Sequence, residues 1–247
     1  WNDNKVSWSE NNGSESFTTH TITSSALGVY NVYVADVDSD GDLDVLVANG
    51  RHWGGPNRAY YNNGEGAFPR VATIGTGKDR SYAARALDYN GDGLMDVAIA
   101  NDRQQSRIYL GQKSRKFIPG PAIGPATQNT RNLTITDLDG DKRPDILIAN
   151  RRAANFIYDH TPKGDLIKGR ILGSGADSTI DIAIGDLNGD GKPDAVLANR
   201  DGQPNTIYLN GDNKKFGKAI AYGTGRDNTR SVALADINGD GHLDIIA

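Results

Sequence analysis

An all-β fold built from repeated four-stranded units is what this 247-residue chain predicts, on three observations. An acidic motif first seen as "ADVDSDGDLDVLVAN" (35–49) returns as "LDYNGDGLMDVAIAN" (87–101), "TDLDGDKRPDILIAN" (136–150), "GDLNGDGKPDAVLAN" (185–199) and "ADINGDGHLDIIA" (235–247). Its first aspartates, Asp36, Asp88, Asp137, Asp186 and Asp236, are 52, 49, 49 and 50 residues apart, a period that spans the whole chain. Within every period, short apolar runs alternate with Gly, Asn, Asp and Arg turns, and no window keeps a helical repeat of apolar residues.

Each unit justifies its strands in order. A short apolar stretch precedes the acidic loop, as in "SVALAD" (231–236), and four apolar residues follow it, as in "DILIAN" (145–150). That second strand is continuously apolar, so both of its faces are expected to be covered. A turn comes next, then a strand such as "NTIYLN" (205–210), a tight turn and a fourth stretch such as "KFGKAIAYG" (215–223). Four-stranded units of this length read as propeller blades; a stacked solenoid is the competing geometry. Residues 230–247 supply only the first two strands of a unit, and residues 4–24 resemble the missing third and fourth. Pairing the two ends would close a ring and remove an exposed sheet edge. The expectation is one domain over residues 1–247, a closed five-bladed β-propeller of antiparallel blades.

Composition bounds the chemistry. The chain has no cysteine, hence no disulfide, thiolate metal site or thiol nucleophile. No apolar run reaches the length of a membrane span. The chain begins at Trp1 without a charged-then-apolar leader, as expected of a mature product or an excised segment.

The acidic loops put like charges side by side next to an apolar strand, which demands a cation. Numbered from the first aspartate, loop positions 1, 3, 5 and 9 are Asp36, Asp38, Asp40 and Asp44; Asp88, Asn90, Asp92 and Asp96; Asp137, Asp139, Asp141 and Asp145; Asp186, Asn188, Asp190 and Asp194; and Asp236, Asn238, Asp240 and Asp244. Hard oxygen donors alternating round a glycine turn suit Ca²⁺, one ion per loop and up to five in all. Position 7 is Asp42, Leu94, Arg143, Lys192 and His242, five incompatible side chains, so any ligand it offers is its backbone carbonyl. Position 2 (Val37, Tyr89, Leu138, Leu187, Ile237) is large and expected to anchor the loop. Magnesium retains water, and zinc or copper would want sulfur or imidazole. An EF-hand needs flanking helices and a Glu at position 12, which is here apolar or Ala. Lys142 stands where the other loops have glycine, so the third loop departs most and its occupancy is the one in question.

"DVDSDGDLD", "DLNGDGKPD" and "DINGDGHLD" resemble the calcium loops of FG-GAP repeats, also called VCBS repeats. Similar loops occur in the integrin α-subunit propeller and in secreted microbial and fungal propeller lectins. The resemblance covers the whole chain. It implies calcium between the first two strands of each blade, on one face of a propeller, and extracellular work, because such sites bind too weakly to fill at cytosolic calcium. Members commonly have seven blades, against the five counted here.

The opposite face would be made by the turns after strands two and four. Arginines crowd these turns: Arg51, Arg80, Arg103, Arg131, Arg152, Arg200 and Arg230 among them, with Trp53, Tyr30 and Tyr82 as stacking surfaces. Seventeen of the 31 acidic residues belong to the loop ligand set, so five Ca²⁺ would turn a formal −4 into +6. Arginine's planar fork suits carboxylate and sulfate, which points to an acidic glycan or cell-surface glycoconjugate. The competing reading pairs these arginines with neighbouring carboxylates as turn structure. A protein-adhesion role like that of the integrin head is the second choice. Third is a polysaccharide lyase, which needs a cation for the uronate carboxylate and a Tyr, His or Lys base; His52 beside Trp53, with Arg51 and Tyr82, is the candidate constellation. No Ser-His-Asp spacing, phosphate-cradling glycine loop or paired catalytic Glu is present, and no nucleic-acid partner is expected of an extracellular calcium protein.

Overall fold

A computed structural model of the chain describes residues 4–50, 53–161, 165–166, 169–211 and 215–247. Among these residues there is no helix, and so none long and apolar enough to cross a membrane. Twenty strands form six sheets. Four are four-stranded meanders of successive strands. The first runs β3 (Val29–Ala35), β4 (Asp44–Asn49), β5 (Gly55–Tyr61) and β6 (Arg70–Asp79). The second runs β7 (Ser81–Leu87), β8 (Asp96–Asn101), β9 (Ser106–Gly111) and β10 (Phe117–Ile123). The third runs β11 (Thr130–Thr136), β12 (Asp145–Asn150), β13 (Asn155–Tyr158) and β14 (Arg170–Leu172). The fourth runs β15 (Thr179–Gly185), β16 (Asp194–Asn199), β17 (Gln203–Tyr208) and β18 (Ile220–Asp227).

The remaining strands make two hairpins, β1 (Val6–Asn11) with β2 (Phe17–Thr23), and β19 (Ala233–Ala235) with β20 (Asp244–Ile246). They are the two halves that the repeat count assigns to a fifth blade. Each is a separate two-stranded sheet, so the expected pairing of the chain's ends is not among the strand pairings of the described residues.

The chain divides into two compact units, residues 1–99 with 108–120, and residues 100–107 with 121–247. In the first, Leu46, Ala48, Ile74, Val97 and Ile99 share a core with Tyr61 and Tyr109, and Val6 packs the β1–β2 hairpin on Val45, Val47 and Tyr60. In the second, Leu147, Ala149, Ile157, Leu172 and Leu197 pack together, and Val232 packs on Val196 and Ala198. The strand after each acidic loop is buried at every residue in β4, β8, β12 and β16, which is why its sequence is apolar throughout instead of alternating.

A bulge recurs in the first strand of three sheets, between Val29 and Asn31, Thr130 and Asn132, and Thr179 and Asp181. The extra residue is Tyr30, Arg131 or Ile180, and a bulge re-aims the side chain it carries. The second strands end on a buried asparagine, Asn49, Asn101, Asn150 or Asn199. Its backbone N–H donates to Asn57 Oδ1, Ser106 Oγ, Asn155 Oδ1 or Asn205 Oδ1 at 2.8–3.0 Å. Its Nδ2 donates to the carbonyl of Pro56, Gln105, Ala154 or Pro204. Each of these asparagines therefore closes the turn into strand three through hydrogen bonds.

Candidate functional site

The five acidic loops share one internal scaffold. The first aspartate accepts the backbone N–H of position 6: Gly41 to Asp36 at 3.0 Å, Gly93 to Asp88 at 3.0 Å, Lys142 to Asp137 at 2.8 Å, Gly191 to Asp186 at 2.8 Å and Gly241 to Asp236 at 2.9 Å. Position 6 is left-handed in every loop, and Lys142 adopts φ +66° where the others are glycine. The third loop therefore closes as its neighbours do, at the steric cost of a Cβ in that region. The N–H donors from Gly191 and Gly241 hold the exposed carboxyls of Asp186 and Asp236 below the ordinary carboxylate range.

Position 9 ties the loop to the sheet. Asp44 accepts the N–H groups of Val37 at 2.9 Å and Asn62 at 2.8 Å, Asp96 those of Tyr89 at 3.0 Å and Gly111 at 2.7 Å, and Asp194 those of Leu187 at 2.9 Å and Asn210 at 2.7 Å. One carboxylate thus binds the start of its own loop and the end of strand three. Burial pushes the carboxyls of Asp44 and Asp96 up to about 6, against these donors. A cation bound beside them would offset that desolvation. Val37, Tyr89 and Leu138 at position 2 are buried as expected, whereas Ile237 is 65% exposed in the hairpin that carries no third strand.

Position 3 divides the loops into two kinds. In the second, fourth and fifth, Asn90, Asn188 and Asn238 donate Nδ2 to Asp92, Asp190 and Asp240 at 2.9, 3.3 and 3.0 Å, so an amide offsets the position-5 carboxylate. In the first and third, position 3 is Asp38 or Asp139, and an arginine is recruited. Arg115 lies 2.6 Å from Asp38 and 3.2 Å from Asp40, and Arg143 donates to Asp141 at 2.5 Å. These same two loops carry carboxylates whose oxygens lie within 4.8 Å of one another, Asp36–Asp38–Asp40 and Asp137–Asp139–Asp145. The donor set is oxygen only and suits a hard divalent ion. Asp38 strengthens the fit: its side chain is 5% exposed, and neither oxygen has an aligned hydrogen-bond donor.

The arginine-rich turns behave differently from one another. Arg51 and His52 lie outside the described residues. Trp53 is 82% exposed and Arg80 is exposed. Tyr82 is only 7% exposed and lies under Tyr30, ring centroids 4.6 Å apart, so it offers no stacking face. Of the two lyase candidates, Tyr82 is therefore buried, and His52 is not among the described residues. Arg131, set by the bulge, is half-buried and pairs with Asp102 at 2.7 Å. Arg151 and Arg152 both bind Asp201, and Ser178 Oγ donates to the same carboxylate at 2.9 Å. Arg103 donates to Asn129 Oδ1 at 3.0 Å, Arg200 is half-buried, and Arg230 is exposed. Pairing within the turns thus takes part of the arginine set, while the Arg152 side chain remains 69% exposed. The Asn-Arg pairs at 150–151 and 199–200 read in the sequence as structural turns, and their asparagines hold backbone groups there. Arg115 carried no such signal.

The FG-GAP-like repeat matches residues 1–47, 36–99, 88–148, 137–197 and 186–247, and from the second match onward each starts at the first aspartate of a loop. No curated protein matches the sequence. Among solved structures, the chain is similar to BBS1N in complex with ARL6DN, with TM-score 0.52, 15% identity and coverage of 79% of this chain and 57% of that one. It is also similar to an auxiliary nutrient binding protein from Bacteroides thetaiotaomicron, with TM-score 0.53, 13% identity and coverage of 88% and 56%. The chain thus spans little more than half the length of either, and at these identities the likeness carries the fold alone.

Proposed function

The chain belongs to the FG-GAP-like repeat family, and on that premise we propose that it is an extracellular, calcium-stabilised recognition module for acidic saccharides. The observation that carries the calcium reading is the buried Asp38 carboxylate, with no aligned donor, inside a cluster of three aspartates. Positions 1, 3, 5 and 9 of each loop, with the position-7 carbonyl, would hold the ion. Calcium there would neutralise the loop and fasten strands one and two. Extracellular calcium is concentrated enough to fill millimolar sites of this type.

The β1–β2 and β19–β20 hairpins supply the strands of one further blade, and we infer that they complete a closed five-bladed ring. Electron-microscopic class averages of a five-lobed disc would support closure; an open arc would refute it.

Recognition of an acidic saccharide rests on guanidinium groups at the turns after strands two and four, notably the exposed Arg152 and Arg230. Such turns are where propellers carry function. A thermal melt with calcium and with chelator, followed by calorimetric titration with sulfated and uronate polysaccharides, tests both parts. No binding in saturating calcium would end the saccharide reading. A protein partner is the second reading, favoured by Leu27 and Trp53, 68% and 82% exposed in the same unit. The binding partners named for the two similar structures, a protein in one and a nutrient in the other, fit either reading.

A further inference from the structure

We propose that the first acidic loop is an exchange site, in which Ca²⁺ and the tethered guanidinium of Arg115 compete for Asp38 and Asp40. This rests on the calcium reading above and specifies how one of the loops responds to the ion.

The first loop is the most acidic of the five, with Asp36, Asp38, Asp40, Asp42 and Asp44 in nine residues. Its counter-cation comes from 75 residues away in sequence, from the turn between β9 and β10. Arg115 Nε lies 2.6 Å from Asp38 Oδ2, and its Nη2 donates to Asp40 Oδ2 at 3.2 Å. The guanidinium also lies over the Tyr61 ring, 5.5 Å from its centroid and within the roughly 6 Å reach of a cation–π attraction. In the matching turn of the preceding sheet the residue is Gly66, with the same left-handed backbone as Arg115 (φ 75° and 61°). A side chain is therefore kept where the backbone favours glycine, and it reaches the two loop ligands.

The fit is electrostatic and geometrically poor. At 2.6 Å, Asp38 gains the charge of Arg115, but no N–H is aligned on either of its oxygens. An arginine needs its donors directed along the contact. A bare divalent ion has no such requirement and carries twice the charge, so it satisfies Asp38 where the guanidinium does not. Arg115 contacts one oxygen of each carboxylate, and a divalent ion held on the same pair would repel the guanidinium at contact distance, so the two cations compete. Arg115 and Asp38 themselves line a cavity of about 210 Å³, with Tyr61, Gln112 and Phe117, which leaves the arginine side chain room to move off the carboxylates. In calcium's absence the arginine offsets the loop's self-repulsion; on calcium entry it swings free. By mass action, the competitor scales the loop's apparent calcium affinity down to the fraction of molecules in which the arginine is disengaged.

The test uses calcium titration by calorimetry on the whole chain and on Arg115→Gln. A second measurement follows phenylglyoxal modification of Arg115 in the unaltered chain by peptide mass spectrometry, with and without calcium. Exchange predicts that one site tightens by about tenfold in the variant, and that Arg115 becomes more reactive when calcium saturates the loops. Calcium binding with no tightened site and unchanged Arg115 reactivity overturns the exchange while leaving the calcium loops standing. Tightening without a gain in reactivity reflects removal of a nearby charge and also overturns it. Absence of any calcium binding in either chain overturns the calcium reading itself.

Discussion

Arg151 grips Asp201 with two donors, Nη2 to Oδ1 at 2.6 Å and Nε to Oδ2 at 3.0 Å, joining the turn after β12 to the turn after β16. The Arg151 hydrogen bonds, with help from Ser178 and Arg152, hold the Asp201 carboxyl far below the ordinary range. The folded state therefore binds this proton less readily than the unfolded chain. The bridge's contribution is complete above the unfolded carboxylate value of about 3.9 and is lost as pH falls through the lower folded value. Asp201→Asn should destabilise the protein by about 1–2 kcal/mol at pH 7, allowing for solvent screening. Urea denaturation from pH 7 down to pH 3 should show the gap between wild type and variant holding above pH 4 and then narrowing. A gap that widens in acid would contradict this.

Asn150 is a buried hub. Its Nδ2 donates to the Ala154 carbonyl at 2.6 Å, its N–H donates to Asn155 Oδ1 at 2.8 Å, and its Oδ1 accepts from Thr130 Oγ1 at 2.9 Å. Asn150→Ala should cost about 2–3 kcal/mol, because the buried Thr130 hydroxyl and the partly buried Ala154 carbonyl both lose a partner. Chemical denaturation in saturating calcium separates this loss from any metal effect.

Lys142 occupies a left-handed backbone position that glycine fills in the four other loops. Lys142→Gly should raise stability by about 1 kcal/mol by relieving the Cβ contact, or about 2–4 °C in Tm for a chain of this size. A melt with chelator present reads the backbone effect alone.

Chelation should lower Tm steeply. A site at a hundredfold its Kd stabilises the folded state by about 2.7 kcal/mol, so each occupied loop is worth several degrees. Differential scanning calorimetry across a calcium series should show Tm rising with the logarithm of calcium concentration. A Tm independent of calcium would mean that the loops are ordinary turns.

Much of this fold was legible because its determinants are local. Asp36, Asp38 and Asp40 define their loop within five residues, and the buried run of β4 follows from the same motif. Lys142 stood out in the sequence as the departure from glycine, but only the structure shows that it adopts the same left-handed backbone. Tyr82 misled because an aromatic residue in a turn-flanking strand reads as available until the Tyr30 ring is found covering it. Arg131 and Arg152 carry the same chemistry, yet one sits in the β11 bulge, half-buried on Asp102, and the other lies in the turn after β12, largely exposed.

The sequence by itself determined the repeat, the strand order within each unit and the oxygen-donor loops, because all are set by contacts among residues close along the chain. Tertiary structure alone decided which charges are already answered. Arg115 reaches Asp38 across 77 positions, and Arg151 reaches Asp201 across 50. Such pairs depend on how one sheet packs against the next, a relation between distant segments that no local pattern of residues encodes.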